Sequence, residues 1–411
     1  MAGLPERDAF ISRRAVIGAG GAGLLAGLVP GIGMAASPGA DPVAAALQPL
    51  LQAGRLAGAS WEVRRRGRII ASGAAGFLDI ANRVPLAEDS IFQIMSTSKV
   101  VIAIAAQMLA EEGALDLAAP VADYLPEFGA QWLVRSDQDG ERMLVRPSRP
   151  STIADLLSHS SGLPDAPPIV GRFEAKLHYS LAEMSGIMSQ QPLVYEPGAR
   201  FLYSNVGIAV AAHVVEMVSG LAYDEFVRRR IFAPLGLTRM GFHVTAAEEV
   251  RVPLAYKLEE GLQPLRDRGP GDGDFRFRRR ARYILPEAGI YATAHELASL
   301  FQAVLDDARH GARRLLSPEA LAEMVRPRVP VPDKDGVIRT WQGLGWRIAA
   351  TDGGSLDNAM GRAGSYGHSG ALGSTAWIDP AGEIVAILMI QTLPAAEARR
   401  AFARGVANLG Q

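Results

Sequence analysis

Between residues 100 and 109 the chain reads Val-Val-Ile-Ala-Ile-Ala-Ala-Gln-Met-Leu. Apolar side chains fall on nearly every side of a 3.6-residue period, which predicts a helix buried all round and stopped near Gly113. A second apolar-rich run, 206–219, predicts another helix closed by Gly220. Asp41-Pro42 is a cap followed by Pro at the first helical position, and Pro49 is expected to kink or end that helix before Gly54. Shorter helices are expected from a Ser151 cap to Leu157, over 226–231, from the Thr293-x-x-Glu296 capping box to Asp307, and from about Ala395 onward.

The period changes to two at both ends of the chain. Residues 59–66 and 68–72 flank Gly67, with Trp61 and Val63 alternating against charge, and read as a hairpin. Segments 344–350, 366–369, 374–379 and 384–391 are strand-like, each bounded by Gly, Pro or Asp. Residues 243–285 show no clear period and read as a long surface excursion. Strands at both ends with helices between them predict an α+β fold: an antiparallel β-sheet flanked by helices, with an inserted helical lobe. The sheet lobe is expected over about 37–90 plus 286–411 and the helical lobe over about 91–285, which places Ser96 at their seam.

Composition narrows the chemistry. A net charge of −1 gives no electrostatic case for nucleic acid or an anionic membrane surface. Cysteine is absent, which removes disulfides, thiolate metal sites and a cysteine nucleophile. The seven histidines lack His-x-x-x-His or comparable ligand spacing, so neither a metal nor a cofactor is expected. Residues 1–36 read as a targeting segment: Ser12-Arg13-Arg14 precedes a Gly-rich apolar run, with small residues at Gly33, Ala35 and Ala36 for cleavage. The twin arginine resembles a twin-arginine export signal, which implies a periplasmic or extracellular protein without a membrane span after processing. Gly18-Ala-Gly20-Gly-Ala-Gly23 also spells a dinucleotide-binding fingerprint, but its helix would run into Pro30, Gly31 and Gly33.

Phe92-Gln93-Ile94-Met95-Ser96-Thr97-Ser98-Lys99 runs straight into the buried helix. This predicts Ser96 at a helix N-terminus, where free N–H groups and the helix dipole favour negative charge, and Lys99 one turn on. Of 42 basic side chains only Lys99, Lys176, Lys257 and Lys334 are lysines. Arg keeps its proton inside a protein, whereas a desolvated Lys can titrate and act as a base. Ser-x-x-Lys by itself arises by accident in about one chain in four of this composition, and a serine cap with a snorkelling lysine spells the same letters. Two further stretches follow it: Tyr203-Ser204-Asn205 and His368-Ser369-Gly370.

Taken together, Ser96-x-x-Lys99, Tyr203-Ser204-Asn205 and His368-Ser369-Gly370 resemble the three motifs of the serine β-lactamases and penicillin-binding proteins. With Tyr opening the second motif, the resemblance is to class C β-lactamases and nearer still to the related family VIII carboxylesterases and DD-peptidases. Leu156-Leu157-Ser158-His159-Ser160-Ser161-Gly162-Leu163, Pro197-Gly198, Pro234-Leu235-Gly236 and Gly367-His368-Ser369-Gly370-Ala371 extend it over nearly the whole chain after residue 36. It implies Ser96 as nucleophile, Tyr203 or Lys99 as its base, and Asn205 holding Lys99 and an acyl-chain oxygen. It also implies an oxyanion hole made by the Ser96 and Ala371 N–H groups, with Gly370 allowing close approach. His368 stands where the lactamases carry lysine, a permanent cation replaced by a group mostly neutral at pH 7. The implied activity is a secreted serine hydrolase on a small ester or amide, most simply a carboxylesterase. A β-lactamase, a D-amino-acid peptidase or a penicillin-binding protein with little turnover would use the same site.

Overall fold

Asp41 caps the first helix, α1 (Pro42–Gln52), by accepting from the Val43 N–H at 2.8 Å. Its second carboxylate oxygen accepts from the Trp61 indole N–H at 2.8 Å, which ties the helix to β1 (Gly58–Arg65). The chain then runs through β2 (Arg68–Asp79), β3 (Val84–Pro85) and β4 (Phe92–Gln93). The middle third holds α2 (Lys99–Glu111), β5 (Leu133–Ser136), β6 (Arg142–Val145), α3 (Ile153–Leu157), α4 (Leu181–Ser189), α5 (Asn205–Ser219), α6 (Tyr223–Val227), β7 (Tyr256–Glu259) and β8 (Gly261–Pro264). The last third contains β9 (Tyr291–Ala292), α7 (Ala294–His310), α8 (Pro318–Met324), β10 (Val329–Pro332), β11 (Ile338–Gln342), β12 (Arg347–Ala349), β13 (Tyr366–Ser369), β14 (Gly373–Asp379), β15 (Ile384–Leu393) and α9 (Ala396–Asn408). This computed structural model describes residues 41–136, 141–167, 178–265, 281–310, 315–353 and 361–409, so the predicted export signal at 1–36 lies outside the described residues.

One mainly antiparallel sheet takes the order β10-β11-β12-β13-β14-β15-β1-β2-β3. The two ends of the chain meet where β1 pairs with β15, from Ala59 opposite Ile390 to Arg65 opposite Ile384. The predicted hairpin at Gly67 is a two-residue turn with φ of 51° at Arg66 and 74° at Gly67, the sign that matches strand twist. Alternation along β1 sends Ala59, Trp61 and Val63 into a core shared with α1 and α9. Arg64, on the other face, donates to Ser299 and to the His295 carbonyl on α7. The larger core lies on that side and includes every residue of α2 from Val100 to Ala106 together with most of α5.

The α+β architecture and the completion of the sheet by both ends of the chain agree with the pattern read from the sequence. Three local differences have physical reasons. Pro49 lies inside α1 without ending it, because its fixed φ fits a helix and Ala53 still donates to the Pro49 carbonyl at 3.0 Å. Thr152, not Ser151, caps α3, in a reciprocal box with Asp155. Within 243–285, β7 pairs in parallel with the end of β15 and carries β8, so the excursion is partly sheet. These strands are four residues each and mostly at least partly exposed, too short to print a period.

Candidate active site

Ser96 lies in a single 3-10 turn, Met95–Ser98, and α2 begins only at Lys99. The expected continuous helix start is therefore a tighter turn, entered through Met95 in the left-handed region at φ 49°. Backbone strain of this kind costs about 1–3 kcal/mol and persists where surrounding structure over-determines it. The surroundings here are specific: Ile94 donates to the Ile290 carbonyl at 2.9 Å, and the Ser98 hydroxyl accepts from the Ile290 N–H at 3.2 Å. The turn is thereby clamped to the segment entering β9.

Lys99 is fully buried. Its ammonium donates to Ser96 Oγ at 3.0 Å and to the Glu287 carbonyl at 2.9 Å, and lies 4.9 Å from the centre of the Tyr203 ring. The first two motifs thus converge on one point. Asn205 departs from its implied role. Its backbone N–H and its side-chain amide both donate to Asp165 Oδ1, at 3.0 and 2.9 Å, while the Lys99 ammonium takes Ser96 and Glu287. A carboxylate is the stronger acceptor for the amide, and it turns Asn205 into part of the α5 entry. Ser204 caps that helix through the Gly207 N–H at 2.9 Å.

His368 sits on β13, with the Ser369 N–H donating to its Nδ1 at 2.9 Å. The Ser369 carbonyl oxygen also lies 2.9 Å from Nδ1, and Nε2 has no partner among the described residues. Burial, reinforced by the positive charges of Lys99 and Arg347, pushes its pKa down to about 3, so the ring is neutral at pH 7. Its ring centre is 6.5 Å from that of Tyr203. The Ser369 hydroxyl meets Thr375 Oγ1 at 3.1 Å. Gly370 closes on the turn that carries Ser96: a Cβ there would stand 2.4 Å from the Ile94 carbonyl oxygen. The Ser96 N–H, a first-turn donor without an intrahelical partner, and the Ala371 N–H have no acceptor among the described residues.

Two side chains that the motif reading left without a role complete the site. His159, fully buried at φ 56°, stacks on Tyr203 with ring centres 4.5 Å apart and planes 29° from parallel. Its Nδ1 accepts from the Ser204 N–H at 3.1 Å, and its carbonyl accepts from Leu202 at 2.9 Å and from the Tyr195 hydroxyl at 3.2 Å. Burial first, then Lys99 and Arg347, holds its pKa well below the usual imidazole range. The only trace of it in the sequence is the histidine of the Leu156–Leu163 stretch. Arg347, on β12 opposite Gly367, lies with its guanidinium 4.4 Å from the Phe201 ring centre. Burial lowers its pKa to about 10, Tyr203 acting in the opposite sense, and no carboxylate among the described residues pairs with it. One arginine among many on a short strand offers no signal in the sequence.

Known proteins carry related sequences and the same fold. An uncharacterized protein of Mycobacterium tuberculosis is 27% identical over 372 residues, covering 85% of this chain and 89% of its own. A Salmonella agona protein with the provisional name D-alanyl-D-alanine carboxypeptidase is 23% identical over 333 residues, 75% of this chain and 71% of its own. Among solved structures, EstCE1, a hydrolase with promiscuous acyltransferase activity, superposes with a TM-score of 0.72 at 23% identity, covering 89% of this chain and 98% of that one. The octameric penicillin-binding protein homologue from Pyrococcus abyssi gives 0.67 at 23% identity, over 90% and 77% of the two chains. The Beta-lactamase family profile matches residues 43–410, a span that takes in all of the site residues described above. The chain belongs to the Beta-lactamase family and carries the fold of its serine hydrolases.

Proposed function

We propose that this protein is an exported carboxylesterase that works through an acyl-enzyme on Ser96. The observation that carries the reading is the 3.0 Å contact between the buried Lys99 ammonium and Ser96 Oγ, with the Tyr203 ring on the same ammonium. In acylation, Tyr203 as a phenolate or Lys99 as a free amine takes the Ser96 proton as Oγ attacks the ester carbonyl. The oxyanion forms against the Ser96 and Ala371 N–H groups, and its collapse expels the alcohol, which recovers the proton. Water then attacks the acyl-serine by the same proton path and releases the acid. His368 is neutral where a lactam-carboxylate site would need a lasting cation, which favours an uncharged ester. Export rests on the twin-arginine segment at 1–36.

A second reading, D-amino-acid peptidase, is favoured by Arg347. It supplies from β12 a cation without a carboxylate partner among the described residues, which suits a substrate with a free carboxylate. Turnover of a p-nitrophenyl ester, a D-alanyl-D-alanine peptide and a chromogenic cephalosporin, measured side by side, separates these readings. Ser96→Ala is expected to abolish ester turnover and fluorophosphonate labelling. Turnover retained in Ser96→Ala refutes the acyl-enzyme.

A further inference from the structure

We infer that Arg399, on the C-terminal helix, is a positioning residue that aims the Ala371 N–H at the reacting carbonyl. The inference rests on the acyl-enzyme reading above. Arg399 is 9% exposed and reaches the end of the β13–β14 hairpin, where its Nη2 donates to the Gly370 carbonyl at 2.7 Å and the Ser374 carbonyl at 3.3 Å. Its Nε donates to the Gly373 carbonyl at 3.1 Å. One planar guanidinium therefore holds three carbonyls of a single five-residue loop. The loop is also closed on itself, by Gly370 N–H to the Ser374 carbonyl at 2.8 Å and Gly373 N–H to the Gly370 carbonyl at 3.0 Å.

The Gly370 carbonyl and the Ala371 N–H belong to the same peptide unit. That unit is planar and trans, so its C=O and N–H point in opposite directions. Fixing the oxygen against a guanidinium on one side fixes the direction of the N–H on the other. The bond to Gly370 is charge-assisted, and polarising the carbonyl makes the N–H of the same amide a better donor. Gly370 is free to lie there because a side chain would strike the Ile94 carbonyl. Lys cannot reproduce this arrangement, since its ammonium is a point charge without the rigid fork that spans several acceptors.

The test is Arg399→Lys and Arg399→Met in the full-length enzyme, assayed with a p-nitrophenyl ester and an alkyl boronic acid. The boronic acid forms a tetrahedral adduct with Ser96 and puts an oxygen in the oxyanion position. Loss of one oxyanion donor typically costs 10²–10³-fold, so a misdirected donor is expected to lower kcat about 10–10²-fold. Boronate affinity should fall by the same factor. KM and affinity for the carboxylic acid product should stay within about threefold, because neither needs the oxyanion donor. Thermal melts check folding, and Arg399→Lys, which keeps the charge, stands in if Arg399→Met does not fold. Unchanged kcat and boronate affinity in a folded variant would overturn the proposal, as would product affinity falling in step with kcat. A wild-type enzyme that neither binds boronate nor labels at Ser96 would overturn the acyl-enzyme reading and this proposal with it.

Discussion

Gly370→Ala tests the site at its narrowest point. The added Cβ would stand 2.4 Å from the Ile94 carbonyl oxygen and 2.4 Å from Ser374 Oγ, where ordinary contact begins at 3.4 Å. Something must therefore move by about 1 Å. Ile94 cannot yield alone: its N–H is bonded to Ile290, its carbonyl accepts from Thr97 at 3.2 Å and from the Ser374 hydroxyl at 3.3 Å, and Ser96 lies two residues on. The displacement falls either on the Ser96 turn or on the loop carrying Ala371, the two segments the proposed acyl-enzyme uses. A misplacement of 1 Å can cost about 10²-fold in rate, and overpacking of this kind destabilises by about 1–3 kcal/mol. We expect kcat for a p-nitrophenyl ester to fall about 10²-fold in a protein whose urea midpoint moves only modestly. Gly186→Ala, where a Cβ meets nothing within 4 Å, is the control and should behave as wild type. A Gly370→Ala enzyme with kcat within threefold of wild type would refute the close approach as a working part of the site.

Three further outcomes follow from the same geometry. Lys99→Arg should lower kcat by about 10²-fold or more, the scale of acid–base contributions, because Arg keeps its proton; near-normal kcat with an unchanged pH profile would remove Lys99 from proton transfer. Arg347→Ala should raise KM at least about tenfold for substrates bearing a free carboxylate and leave a neutral ester within about threefold; equal effects on both would mean the guanidinium does not read substrate charge. The last concerns pH. With a folded pKa of about 3 against an ordinary 6.5, His368 binds its proton in the unfolded chain but not in the native one between those values. Stability is then fully present above about pH 6.5 and is lost as pH falls toward 3, by up to about 1.4 kcal/mol per pH unit, with His159 acting in the same direction. Urea unfolding at pH 7 and pH 5 measures it, and His368→Asn should flatten the slope; a wild-type stability independent of pH over that range would contradict the burial of both rings.

What could be read from the chain was whatever is written locally. The apolar run of α2, the Gly67 turn, the Gly220 end of α5, and the short strands β13 and β14 each carry their own signal. The three motifs gave Ser96, Lys99, Tyr203 and His368, which lie together around the Lys99 ammonium and the Tyr203 ring. They did not give the geometry of Ser96, because a 3-10 turn and the first turn of an α-helix differ by one hydrogen-bond step and share one composition. Asn205 went elsewhere for a non-local reason: its carboxylate partner, Asp165, lies forty residues away. Arg399 and Arg347 were illegible for the same reason. Their positions come from sheet order, which sets Arg347 opposite Gly367, and from the packing of α9, which brings Arg399 to the β13–β14 loop.

His159 explains why a buried, strained imidazole stands under Tyr203. The position asks for two things at once: an acceptor for the Ser204 N–H and a flat surface for the Tyr203 ring. Phenylalanine would supply the surface and leave a buried N–H unpaired, at about 1–3 kcal/mol. Asparagine tolerates a φ of 56° and could accept the bond, but it would leave the face of the ring bare. Histidine meets both demands only while neutral, since a doubly protonated ring has no acceptor nitrogen. Burial keeps it neutral, and the charges of Lys99 and Arg347 push in the same direction. Lys99 and Arg347, the cations beside the ring, therefore also hold His159 in the one protonation state that can place the tyrosine.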